Sequence, residues 1–219
     1  MKSLTMYVVI LLIFCTQFYQ VKSDDIPKII ADFTCAYNGY YDDGIQIHEG
    51  VDRDYVQIII TPVIVPSFGN SSVLLIQADE NGKMRMIEIL VLNATGENTL
   101  TVTPYNVTEQ PNEKSTSSIV KHLLTLKRED FSTSTDCQLQ LTQTSTYVFT
   151  GQWPICVVTK NGKHPAYNVT YTCTDIISST VTDGPEKYSP VKIDLFRKGL
   201  KFPLTHAPDN YVCGCDLNE

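Results

Sequence analysis

The chain has 219 residues, 42% hydrophobic and 19% charged, and its 24 acids against 17 bases give a net charge of −7. A surface of that sign repels phosphate backbones, which excludes nucleic acid as a partner. The acids are scattered, the densest pairs being Asp24-Asp25 and Asp42-Asp43, and no Asp-x-Asp-x-Asp-Gly loop points to calcium.

Residues 1–23 read as a secretory signal. Lys2 gives the basic start, the stretch from Met6 to Phe14 is a short apolar run, and Val21-Lys22-Ser23 offers small residues for cleavage. The run is too short to span a bilayer, and no later segment approaches the length a membrane helix needs. Removal takes away Lys2, Lys22 and no acid, which moves the charge from −7 to −9. The expectation is a secreted, extracellular protein with no membrane attachment, residues 24–219 forming one domain.

A short helix is expected over residues 25–33, with Asp24 or Asp25 as cap, Pro27 in its first turn, and Ile29, Ile30 and Phe33 on one face. After Gly39 the periodicity changes to two. Ile45 and Ile47 alternate with Gln46 and His48, and residues 54–65 form a β-rich run. Further strands are expected at 73–78, 86–92, 99–103, 138–142, 146–151, 166–173 and 191–196. Asn81-Gly82 is the strongest hairpin signal, and Asn161-Gly162 is a second. Between residues 109 and 128 the β pattern lapses, and residues 115–126 have helical spacing with Ile119, His122, Leu123 and Leu126 on one side. Many short strands separated by turns argue for a closed barrel or a sandwich. A barrel of about eight to ten strands either fills itself with side chains or holds one small ligand.

With Cys15 removed, six cysteines remain: Cys35, Cys137, Cys156, Cys173, Cys213 and Cys215. An even number in an oxidising compartment reads as disulfides, and fifteen pairings are open. Cys137 and Cys156 bracket an expected hairpin whose far ends lie close together, so these two are expected to pair. Cys213 and Cys215 are too close for an unstrained mutual bridge, so each should reach a distant partner. Without a CxxC, or a histidine at zinc-ligand spacing, structure is favoured over metal. Four Asn-x-Ser/Thr sites, at Asn70, Asn93, Asn106 and Asn168, mark places where the chain should meet water and carry glycans.

No standard catalytic constellation is present. There is no G-x-S-x-G elbow, no H-E-x-x-H and no phosphate-binding glycine loop, and His48, His122, His164 and His206 are isolated in sequence.

Two stretches carry a resemblance. The first holds Gly39-Tyr-Tyr-Asp-Asp-Gly-Ile-Gln46 and then Ser72-Val-Leu-Leu-Ile-Gln-Ala78; the second holds Cys137-Gln-Leu-Gln-Leu, Tyr147-Val-Phe-Thr-Gly-Gln-Trp153 and Cys156. In this order they resemble the CpcT/CpeT family of bilin lyases over about residues 36–200. The resemblance implies an all-β, lipocalin-like antiparallel barrel, a calyx for open-chain tetrapyrroles, with one or two short helices. It places Gln46 at the family's first-strand glutamine, Gln77 and Ala78 on the E-Q-A motif, Trp153 after the Gly151 of an F-x-G turn, and Tyr171 on the strand after Cys156. Family lyases can also pair through a barrel face, which makes a homodimer possible.

Where the family carries closely spaced arginines for the two propionates of a bilin, this chain has Arg85 and then Glu88. Glu88 would repel a propionate. The ligand-binding candidates are therefore Gln46, Gln77, Arg85, Glu88, Trp153 and Tyr171, with no catalytic residue and no required cofactor. The leading expectation is a secreted glycoprotein whose calyx binds a bilin or other small hydrophobic ligand without chemistry. The alternatives are an extracellular matrix or interaction protein, with the barrel as scaffold, and a true chromophore lyase.

Overall fold

The computed structural model describes residues 26–108, 115–133, 135–156, 158–159, 162–163, 165–181 and 192–216. Residues 1–23, expected to be a signal, and Asp24, Asp25, Asn161 and His164 lie outside them. Helix α1 spans Lys28–Tyr37, α2 Gly44–His48 and α3 Thr116–Leu123. The strands are β1 Gly39–Asp42, β2 Val56–Val63, β3 Ser72–Glu80, β4 Lys83–Ala94, β5 Thr99–Val107, β6 Phe131–Ser132 and β7 Leu139–Ser145. They continue with β8 Val148–Trp153, β9 Val158–Thr159, β10 Gly162–Lys163, β11 Tyr167–Tyr171, β12 Asp175–Thr180 and β13 Lys192–Lys198.

Ten of these strands close on themselves in the order β4-β3-β2-β1-β13-β12-β11-β8-β7-β5, because β5 pairs with β4 as well as with β7. All of these pairings are antiparallel, so the fold is the expected all-β, lipocalin-like barrel; β6 adds to β5 outside the ring, and β9 and β10 form a separate hairpin. Closure leaves no unpaired edge along the ring. Asn81 and Gly82 join β3 to β4 with φ of 50° and 73°, the left-handed pair that a two-residue hairpin requires.

Strand alternation sorts side chains into two cores. Ile60, Leu74, Ile76, Leu90, Leu100 and Phe149, from five strands, point inward and cluster with α1. Helix α1 is buried from Ile29 through Tyr37, on all sides rather than on one face, as expected of a helix that plugs a barrel and not one that lies on it. Phe33 is its anchor, packing against Tyr37, Phe149 and Tyr171 at ring-centroid separations of 5.2, 5.1 and 5.6 Å. Its truncation to alanine would cost about 3–5 kcal/mol. On the outer surface, Val73, Leu75, Ile87 and Ile89 form a second core under Ile119 and Leu123 of α3. Ser115 caps α3, its hydroxyl accepting from the Ser118 amide at 3.3 Å.

Three disulfides join Cys35 to Cys213, Cys137 to Cys156 and Cys173 to Cys215. The Cys137–Cys156 pairing is the expected one. The other two staple residues 199–216 across the α1 end of the barrel. That segment is also held by Lys201, which donates to the Ala36 and Asn38 carbonyls, by the Phe202 amide on Asn38 Oδ1, and by Tyr211 on Asp32 at 2.8 Å.

Three sequence expectations need correction. Residues 44–48 form α2 instead of extending the first strand, since Asp43 and Asp42 tie the connection locally: Asp43 Oδ1 accepts from the Val56 amide and Asp42 Oδ1 from the Gly44 amide. Gly151 lies inside β8, not in a turn. A side chain there would come within 2.3 Å of the Gln140 carbonyl oxygen on β7, so only glycine permits this strand spacing. Finally, β12 exists although its Ser-Ser-Thr end hides it from a hydrophobic pattern.

Candidate functional site

The barrel's two halves differ. Near α1 the interior is filled. Toward the other end the inner wall carries half-buried apolar side chains, Val56 and Ile58 of β2, Trp153 of β8, Tyr167 of β11 and Ile193 of β13, all packed on the inner core. Met86, 37% exposed, continues the same face of β4. Register puts Glu88 among them: it lies opposite Ile76 on β3 and Asn106 on β5, and alternates inward with buried Leu90 and Leu92.

The floor of this half is a phenol–indole network. Trp153 Nε1 donates to the Tyr171 hydroxyl at 3.0 Å. Tyr37, in the last turn of α1, packs against the same residue, the two rings meeting edge-on at 4.5 Å. Burial pushes the Tyr37 and Tyr171 hydroxyls well above the ordinary phenol range, and the Glu88 charge adds to both shifts. Both therefore stay neutral throughout the physiological range.

Glu88 is half-buried, and desolvation raises its carboxyl to about 7. Among the described residues it makes no hydrogen bond or ion pair. A further inward charge, Arg197 of β13, belongs to the α1 end: its field acts on Tyr41, and its Nη1 donates to the Gly199 carbonyl at 2.8 Å. Among the described residues this half of the interior thus presents the Glu88 carboxyl above an aromatic floor, within walls that are apolar apart from Ser178 and Thr180. Such a surface can stack a flat ligand and orient it by a single polar contact.

The six sequence candidates are divided by this geometry. Glu88, Trp153 and Tyr171 come together on the inner wall. Gln46 does not: it sits on α2, where its oxygen accepts from the Arg53 guanidinium and from the Asp194 amide, and it braces the β1–β2 connection beside the buried Arg53–Asp43 ion pair. Gln77 is buried on the outer face of β3, opposite Ile87 and Ile59. Arg85 lies within β4, and its side chain falls outside those described. Sequence reasoning missed Tyr37, Tyr167 and Met86. The parity of β4 from Leu92 through Glu88 could have found Met86, whereas Tyr37 enters the site only because α1 goes inside the barrel.

Asn70, Asn93, Asn106 and Asn168 are all exposed. Three of them lie within β4, β5 and β11 near the strand termini, and Asn70 lies in the turn before β3. The sulfurs of Cys35, Cys213 and Cys215 lie within 4.8 Å of one another. Two adjacent disulfides account for this grouping, and sulfurs so paired are not the thiolates a zinc site uses. Among the described residues no helix is long and apolar enough to cross a membrane.

No family model matches the chain, and no curated protein is found to be similar to it.

Proposed function

We propose that the protein is a carrier that holds a small apolar or flat conjugated molecule in the half of the barrel away from α1 and does no chemistry on it. The observation that supports this is the contrast along the barrel axis. Inward side chains next to α1 are fully buried, while Val56, Ile58, Trp153, Tyr167 and Ile193 remain half-exposed on the same inner surface. Apolar side chains left partly solvated on a concave wall are what a ligand would cover.

The resemblance to the CpcT/CpeT family makes a linear tetrapyrrole the first molecule to test. Covalent attachment is not part of this reading, because Glu88 stands on the wall where a propionate clamp would need a base. We further propose that the carrier works outside the cell, cleaved from its signal and glycosylated; the exposure of all four sequon asparagines supports this.

Titration with biliverdin is the test. Binding should change the emission of Trp153, the only tryptophan, and induce dichroism in the pigment's visible band. Unchanged emission with no induced dichroism for biliverdin, and for a neutral aromatic ligand, would count against a carrier. The weight would then move to an extracellular interaction role, for which the exposed Leu200 (75%) and Val212 (67%) offer apolar contact. A coloured adduct that survives denaturation would instead identify a lyase.

A further inference from the structure

We infer that the ligand class of this site is a protonated amine carried on a flat apolar body, with Glu88 as its counter-ion. The inference rests on the carrier reading above and names the substrate class of that same site. Three observations lead to it. First, Glu88 is placed inward by the registers of both neighbouring strands, opposite Ile76 and Asn106, and is half-buried there. Second, it has no cationic or hydrogen-bonding partner among the described residues, whereas the buried acids Asp32, Asp42 and Asp43 are each paired with a lysine or arginine.

An inward carboxyl without a partner, partly removed from water, is less stable charged than it would be in solution. It becomes favourable once a cation arrives. Third, aromatic rings lie around it: Tyr37 and Tyr171, both buried, feel the Glu88 charge, and the half-buried Trp153, hydrogen-bonded to Tyr171, is the ring of these three that a ligand can meet. Aromatic faces attract ammonium groups, and together with a carboxylate they favour a cation over a neutral or anionic ligand of the same shape.

The charge logic also sets a pH dependence. The groups facing Glu88 from other elements are Tyr37 of α1, Tyr171 of β11 and the non-titrating Asn106 of β5. Burial keeps the two phenols neutral, so Glu88 is the member of this set that changes charge near neutrality. Amine binding requires its ionised form and should weaken as the solution is acidified.

The test uses the secreted protein and three probes that share one ring system: naphthylethylamine, ethylnaphthalene and naphthylpropionate, each titrated by calorimetry at about pH 8 and about pH 5, on either side of the Glu88 transition. At the higher pH the amine should bind at least about tenfold more tightly than the neutral hydrocarbon, with the propionate weakest. The advantage should shrink at the lower pH and vanish in Glu88→Gln, while ethylnaphthalene affinity stays unchanged. The pH arm needs no variant, so the inference stays testable whatever Glu88→Gln does to folding. If amine and hydrocarbon bind equally to the native protein, or the preference survives Glu88→Gln, the counter-ion assignment is overturned while the carrier reading stands. If none of the three binds, both fall.

Discussion

Trp153 and Tyr171 stand on neighbouring antiparallel strands, and the indole N–H of one donates to the phenol oxygen of the other at 3.0 Å, inside the barrel. Tyr37 of α1 packs edge-on against the same phenol ring at 4.5 Å, so that ring is held from two separate elements. Tyr171→Phe should therefore destabilise by about 1–3 kcal/mol, because it leaves the Trp153 indole N–H without its acceptor. It should also shift the emission of the only tryptophan. Urea unfolding followed by that emission measures both, and an unchanged midpoint would show that the network contributes nothing.

Glu88 gives a stability signature with a defined sign. Its folded-state carboxyl titrates at about 7, above the ordinary value of 4.5, so the native state holds a proton that the unfolded state has lost in between. Stability from this group is fully present below about 4.5 and declines as the pH rises through 7. Glu88→Gln should raise the melting temperature at about pH 8, by an amount equivalent to roughly 1–3 kcal/mol after allowance for partial solvation, and leave it unchanged near pH 4. A variant no more stable than the native protein at the higher pH would contradict the inward, desolvated placement.

The Cys137–Cys156 bridge closes a loop with a sequence separation of 19. Replacing both cysteines with alanine should cost about 3 kcal/mol through the unfolded state. Non-reducing peptide mapping of the native protein should recover the 137–156, 35–213 and 173–215 pairs. Any other linkage would contradict the tail's path across the barrel.

Gly151→Ala should destabilise by about 1–3 kcal/mol or prevent folding, because the added methyl meets the Gln140 backbone and the Leu139 and Leu141 side chains. Thermal unfolding checks this, and a neutral result would mean that β7 and β8 can separate without cost.

On the reading that the chain is exported, endoglycosidase treatment of protein from its natural source should lower its apparent mass on a denaturing gel, since Asn70, Asn93, Asn106 and Asn168 are all solvent-exposed. An unshifted band would argue against passage through the secretory route.

The barrel was legible in the sequence because its strands carry their own punctuation. Asn81-Gly82 fixes one hairpin, and the nearly continuous apolar runs from Val73 to Ala78 and from Met86 to Leu92, buried on both faces, mark β3 and β4. Helix α1 was legible as a helix but not as a plug: Ile29, Ile30 and Phe33 define one apolar face, and the burial of Asp32 and Thr34 on the other sides is a tertiary event. Strand β12 was missed because Ser178 and Thr180 face the interior, where an apolar pattern was expected; the partly polar far half allows them there. Of the site, Glu88, Trp153 and Tyr171 were found by motif position. Gln46 and Gln77 were drawn to the same place by the same reasoning, and side-chain direction, which a motif does not encode, separates them from it.

The strand that shuts the barrel has an unusual position in time. β1 pairs with β2 on one side and with β13 on the other, and α1 just before it is clamped through Cys35 to Cys213. A ribosome must therefore deliver residue 198 before the ring can join, and residue 213 before the plug can be locked in place. Until then the inward faces of β2 to β8 have no lasting cover, so this chain has to be shielded during its synthesis and completed by an oxidase at the end of it.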